Sequence, residues 1–259
     1  MNLQSLYPLV GLVVGLVVGL TGVGGGSLMT PALVFLFKIP VDIAVGTDLW
    51  FASLTKIFGV VAHSNRRNVN WRIVTRLGLG SVPGSIATIV VLNQLRAHGK
   101  PLDHYILPVL GISLVFTAIA VMLRKRILSA GGKLFEISEQ TANRFATLVG
   151  VVLGIMVTLT SVGAGAIGVA ALMILYPKIR GAEIVGTDLA HAIPLVTVAA
   201  LGHLQLGNID YRLLVGLLLG SIPGIYIGST VSSRLPEVMM RRILAGTLLV
   251  LGISCIVGG

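Results

Sequence analysis

The chain has 259 residues, of which 55% are hydrophobic and only 11% charged, and its mean hydropathy is +0.97. A soluble domain carries about 25% charged residues, and a soluble fold of this length could not hide so much apolar surface behind a charged exterior. Composition therefore excludes a soluble globule, a disordered chain, a coiled coil and a disulfide-stapled secreted domain, the single Cys255 being unable to close an intrachain bridge. The net charge of +10 does not point to nucleic acid. The basic residues sit in short connections between apolar runs, as in an integral membrane protein with positive loops inside, and no basic helix with interleaved aromatics occurs.

In chain order, the first apolar run is Leu6–Leu20. No basic residue precedes it and no small-residue cleavage site follows, so it reads as mature structure and not as a signal peptide. The glycine-rich break Gly22-Val23-Gly24-Gly25-Gly26 follows, then Leu28–Phe37, a run too short to span alone. Ile43–Ala62, Ile73–Leu92 and Tyr105–Leu123 each have the roughly 20 apolar residues that a spanning helix needs.

The one long polar stretch, 124–144, reads as a cytoplasmic linker between residues 1–123 and residues 145–259. After it the pattern begins again. The short run Phe145–Thr160 ends in the break Ser161-Val162-Gly163-Ala164-Gly165, and a second short run, Ala166–Tyr176, follows. Ile184–Leu204, Leu213–Val231 and Met240–Val257 complete the spans.

The two parts repeat each other. Gly46-Thr47-Asp48-Leu49 recurs 140 residues later as Gly186-Thr187-Asp188-Leu189, and Gly80-Ser81-Val82-Pro83-Gly84 as Gly220-Ser221-Ile222-Pro223-Gly224. His63, Asn68 and Arg72 match His203, Asn208 and Arg212, giving 14 identities over the 39 positions from 46 to 84. Matched Asp, His, Asn and Pro in order do not arise from apolar composition alone. The expected fold is an all-α polytopic membrane protein of two homologous repeats with glycine-broken half-helices. Placing the basic clusters at 66–76, 124–144 and 234–242 on one side puts equivalent loops on opposite sides, which favours inverted over parallel repeats.

Candidate site residues follow from the breaks. A helix that starts after a break at membrane depth offers free N–H groups and a positive dipole end, a ready anion site. Paired breaks in the two halves are the best pointer to a transporter's binding site; close packing through small residues is the competing reading. Thr21, Gly22, Gly24, Gly25 and Gly26 in the first half, and Thr160, Ser161, Gly163 and Gly165 in the second, are the residues concerned.

Thr47 with Asp48 and Thr187 with Asp188 either carry transport chemistry or have a capping or other structural role. Lys56, two turns after Asp48, either holds an anion or snorkels to the interface. His191 either titrates or is simply hydrogen-bonded, and Pro194 is expected to kink its helix. His63 and His203 are expected to cap helix C-termini, and Pro83 and Pro223 to set matched kinks. No metal-ligand cluster, nucleophile motif or phosphate-binding G-K-[ST] occurs, so neither an enzyme nor an ATP-driven pump is expected.

The glycine break followed by Pro31, the doubled Gly-Thr-Asp-Leu and the doubled Gly-Ser-x-Pro-Gly resemble the TauE/SafE family of sulfite and organosulfonate exporters, also called toluene sulfonate uptake permeases. The resemblance covers nearly the whole chain. It implies a secondary carrier, in a bacterial-type inner membrane, exporting a small sulfur-containing anion such as sulfite, sulfoacetate or a related sulfonate. Ser161 in place of Gly22 and Ala164 in place of a glycine make the second break depart from the first. An anion channel on the same scaffold is the alternative, and an assembly partner without transport of its own a weaker third. The expected partners are the small anion and the lipid bilayer, with self-assembly into a homo-oligomer left open. No cofactor is expected; a proton or another cation is the candidate coupling ion.

Overall fold

The computed structural model describes residues 6–21, 26–63, 69–130, 138–231 and 237–257. Every described element is helical: α1 (Tyr7–Thr21), α2 (Gly26–Phe37), α3 (Val41–His63), α4 (Trp71–Ala97), α5 (Asp103–Ala130), α6 (Glu139–Thr160), α7 (Ala166–Leu175), α8 (Gly181–Gln205), α9 (Tyr211–Val231) and α10 (Glu237–Val257). Among the described residues, six helices are long and apolar enough to cross a membrane: α4, α5 to Leu123, α6, α8, α9 and α10 from Val238. Helices satisfy their own backbone groups, which hydrocarbon cannot do for them.

Some boundaries differ from the sequence expectation. The run expected over Phe145–Thr160 is a full span, because Ser138 caps a helix whose first turn is polar and begins at Glu139. The polar stretch 124–144 is largely helical: α5 continues to Ala130 and α6 starts at Glu139. α4, α8 and α9 run on through Pro83, Pro194 and Pro223 without interruption.

Helix directions follow from contacts and from the reach of the connections. α6 and α4 pack parallel: Gly150 lies on Leu77 and Gly154 on Ser81. Thr158 Oγ1 donates to Ser85 Oγ at 2.7 Å one turn further along. α8 also runs parallel to α4, with contacts at Asn70–Thr187, Ser81–His191 and Arg96–Leu206. α1 runs parallel to α9 in the same manner, Gly11 lying on Leu217 and Gly15 on Ser221.

Five residues join α8 to α9. At about 3.5 Å each they cannot return across the roughly 37 Å length of α8, so α8 and α9 are antiparallel. The five residues between α4 and α5 impose the same turn. Thus α4, α6 and α8 point one way and α1 and α9 the other. The starts of α4, α6 and α8 and the ends of α5 and α9 share one face, which gathers the basic residues of positions 72–76, 124–126, 144 and 241–242.

α6 and α7 form a hairpin. The chain reverses through Ser161, Gly163 and Gly165, all at positive φ, and Tyr176 OH at the end of α7 donates to Asn143 Oδ1 near the start of α6 at 3.0 Å. α1 and α2 are paired likewise at their outer ends, where the rings of Tyr7 and Phe37 meet edge to face at 5.2 Å. Because α1 and α6 are antiparallel, the two hairpins enter from opposite faces. Their tips meet: a Cβ on Gly26 would strike the Ser161 carbonyl and come within 2.9 Å of its hydroxyl. The main apolar core lies between α3, α5, α8 and α10, around Leu49, Ile106, Leu110, Leu195 and Leu248.

Candidate functional site

The hairpin tips are flanked by the second turns of α3 and α8. Each helix begins seven residues before its aspartate, at Val41 and Gly181. Asp48 and Asp188 therefore lie inside their helices, which removes the helix-capping alternative. Both side chains are buried, at 0% and 3% exposure, where an ionised group needs compensation by partners.

Thr30 on α2 donates to Asp48 Oδ2 at 2.5 Å. Ser161, from the opposite tip, stands close enough to act on the same carboxyl group. Beyond that contact, Ser161 Oγ and Asp48 Oδ1 have no hydrogen-bond partner among the described residues. Asp188 Oδ1 is also unpartnered. It rests on the backbone of Gly168 in the first turn of α7, where a Cβ would strike it. Each carboxylate thus faces the half-helix of its own half.

Lys56, half-buried on α3, acts through its charge on both Asp48 and Asp188. His191, one turn beyond Asp188, shares a 2.8 Å hydrogen bond between Nε2 and the Ser81 hydroxyl of α4, and its Nδ1 is unpartnered. Buried polar atoms without partners are rare in folded proteins, and each needs an explanation. Here Asp48 Oδ1, Ser161 Oγ and Asp188 Oδ1 lie against the two half-helices, and His191 Nδ1 belongs to a ring on which the Lys56 charge also acts.

The other expected residues divide into three groups. The first is structural. Thr21 Oγ1 donates to Val17 O, and Thr160 Oγ1 to Met156 O, at 2.7 Å each; Thr160 Oγ1 also accepts from Val162 N at 3.1 Å. Thr47 Oγ1 accepts from Asp210 N at 3.1 Å and Thr187 Oγ1 from Asn70 N at 2.9 Å. These last two bonds are counterparts at the 140-residue offset, one near each face. The second group is the turn itself, where Gly163 and Gly165 have φ of 119° and 128°, conformations that side-chain-bearing residues rarely adopt. The third group, Gly22, Gly24 and Gly25, lies outside the described residues, as does the side chain of His63.

His203 does not cap its helix. It is fully buried and its Nε2 lies 2.9 Å from Thr158 O of α6. Sequence reasoning missed Thr30 and gave Ser81 only a part in a kink motif. Thr30 carries no signal, since its mate at offset 139 is Val169. Ser81 had one: a hydroxyl in the middle of an apolar span needs a partner.

The fold and this arrangement define a helical integral membrane protein of the transporter class. The chain belongs to the family described as sulfite exporter TauE/SafE, whose model matches residues 7–255. It is 39% identical over 252 residues to the "Probable membrane transporter protein YjnA" of Bacillus subtilis, covering 96% of this chain and 98% of that one. A "Probable membrane transporter protein" of Methanocaldococcus jannaschii is 30% identical over 267 residues, covering 97% and 94%. No solved structure matches the chain.

Proposed function

We propose that this protein is a secondary carrier, and not an enzyme or a channel, that exports a small sulfur-containing anion such as sulfite, sulfoacetate or a related organosulfonate. The observation that carries the reading is the meeting of two hairpin tips, from opposite faces, beside the half-buried Lys56 and a set of unpartnered buried polar atoms. A sulfur oxyanion is compact and accepts hydrogen bonds on all its oxygens. The N–H groups at the starts of α2 and α7, the Ser161 hydroxyl and the Lys56 ammonium are donors that suit it.

The helix directions support reading the two halves as inverted repeats. Among the described residues each half has five helices, and the contacts of α1 with α9 have their counterparts in those of α6 with α4. Inverted repeats around a central site supply alternating access by rocking one part against the other. The face that gathers the basic residues is assigned to the cytoplasm of a bacterial-type inner membrane.

Counterflow in proteoliposomes tests this reading. Vesicles loaded with sulfite, sulfoacetate or thiosulfate should accumulate the labelled external anion, and vesicles loaded with acetate should not. Conductance without counterflow would replace the carrier by a channel. Gly165→Val, which forces a branched side chain onto a φ of 128°, is expected to abolish exchange while leaving insertion intact; normal flux would remove the tip from the site.

A further inference from the structure

We propose that Asp48 and Asp188 are proton-binding groups, so that the anion binds and crosses together with at least one proton. This inference rests on the carrier reading and names its coupling ion. The argument is one of charge at a buried place. Lys56 acts through its charge on both Asp48 and Asp188, and with both carboxylates ionised and His191 neutral the three charges sum to −1. An anion added there makes the buried sum more negative, at low effective dielectric, where like charges repel strongly. A proton on either carboxylate removes that conflict.

The geometry sharpens the point. Asp188 Oδ1 occupies the first turn of α7, and Thr30 on α2 holds Asp48 Oδ2. The carboxylates thus stand where the positive ends of the half-helices would receive an oxyanion, and carboxylate and substrate compete for one field. Protonation withdraws the competing charge and turns Asp48 Oδ1, beside Ser161, or Asp188 Oδ1, which has no partner among the described residues, into a donor to the oxyanion.

The surrounding elements offer few other charges. α2 and α7 contain no ionisable residue. From α4 the contacting group is Ser81, and from the α6–α7 turn Ser161. Among the described residues, Lys56 and His191 are the remaining titratable groups at the site, and His191 is the rival proton acceptor.

The test uses the full-length protein in proteoliposomes, with thiosulfate and sulfoacetate, which stay ionised near neutral pH and cannot themselves ferry a proton. An outward gradient of the anion should drive protons out with it, read by an internal pH dye against protein-free vesicles. In detergent, anion affinity should weaken about tenfold per pH unit for each proton taken up. Asp48→Asn and Asp188→Asn should each flatten that slope, and His191→Gln should keep it. Anion exchange without proton movement and without a pH slope would overturn the coupling while leaving the carrier standing. A slope lost in His191→Gln and kept in both Asn variants would move the proton to the histidine and overturn the assignment. Absence of exchange with every anion would instead overturn the carrier reading on which the coupling rests.

Discussion

The two halves are alike where they hold each other and unlike where they face the site. Thr47 takes the backbone N–H of Asp210 near one face, and Thr187 takes that of Asn70 near the other. Glycines of α1 pack on α9 as those of α6 pack on α4. At the centre the correspondence ends. Asp48 has Thr30 as a donor, whereas Asp188 Oδ1 rests on the Gly168 backbone without a hydrogen-bond partner among the described residues. Lys56 has Val196 as its counterpart, and His191 has Phe51. A symmetric frame makes two opposite-facing arrangements similar in energy, which alternating access requires. On the carrier reading proposed above, an asymmetric site would let one anion be held by the single Lys56.

The comparison can be broken most severely at the helix seams. Gly80 lies on the Thr147 carbonyl and Gly220 on that of Pro8. Neither place admits a side chain, so Gly80→Val and Gly220→Val should each lose about 3 kcal/mol of stability. Unfolding in mixed micelles checks this, and a large loss in one variant alone would end the equivalence of the seams. A smaller effect tests the asymmetric centre: His191→Phe makes the second half resemble the first and leaves the Ser81 hydroxyl without its partner. A loss of about 2 kcal/mol is expected, the cost of an unsatisfied buried hydroxyl plus repacking.

Lys56→Met keeps the length of the side chain and removes its charge. Anion affinity should fall at least about tenfold, or about 1.4 kcal/mol, with unfolding little changed; isothermal titration on the purified protein would show whether the lysine holds substrate or only snorkels. The smallest effect belongs to the matched hydroxyls. Thr47→Val and Thr187→Val should each cost about 1 kcal/mol, and the double variant should show the sum within about 0.5 kcal/mol, because the two bonds are remote from each other.

Much of the fold was legible in the sequence because lipid imposes a simple rule: apolar runs of sufficient length form helices, and glycine clusters interrupt them. The start of α6 was not legible by that rule. Glu139 and Arg144 lower the local hydropathy, and only the cap at Ser138 marks the true beginning. The capping role considered for Asp48 and Asp188 failed for a related reason, since the helices start two turns earlier, at Val41 and Gly181. At the candidate site, the doubled Gly-Thr-Asp-Leu singled out the aspartates, and the glycine-rich segments the breaks. Thr30 and Gly168 could not be found that way, because their importance comes from the direction in which a hairpin folds back, a tertiary fact. The hydroxyls of Thr47 and Thr187 stand in the same motif as the aspartates, yet each is bonded to a connecting segment. Adjacency in sequence did not separate frame from site.

The central claim is that equivalent positions of the two halves open on opposite faces around one shared site. Arg72 and Arg212, both exposed, are the second residues of α4 and α9 and stand 140 positions apart. In a Cys255→Ser background, Arg72→Cys and Arg212→Cys should be labelled by a membrane-impermeant maleimide from opposite sides of oriented vesicles, Arg72→Cys from the cytoplasmic side. Labelling of both from the same side would contradict the inverted arrangement and the alternating access built on it.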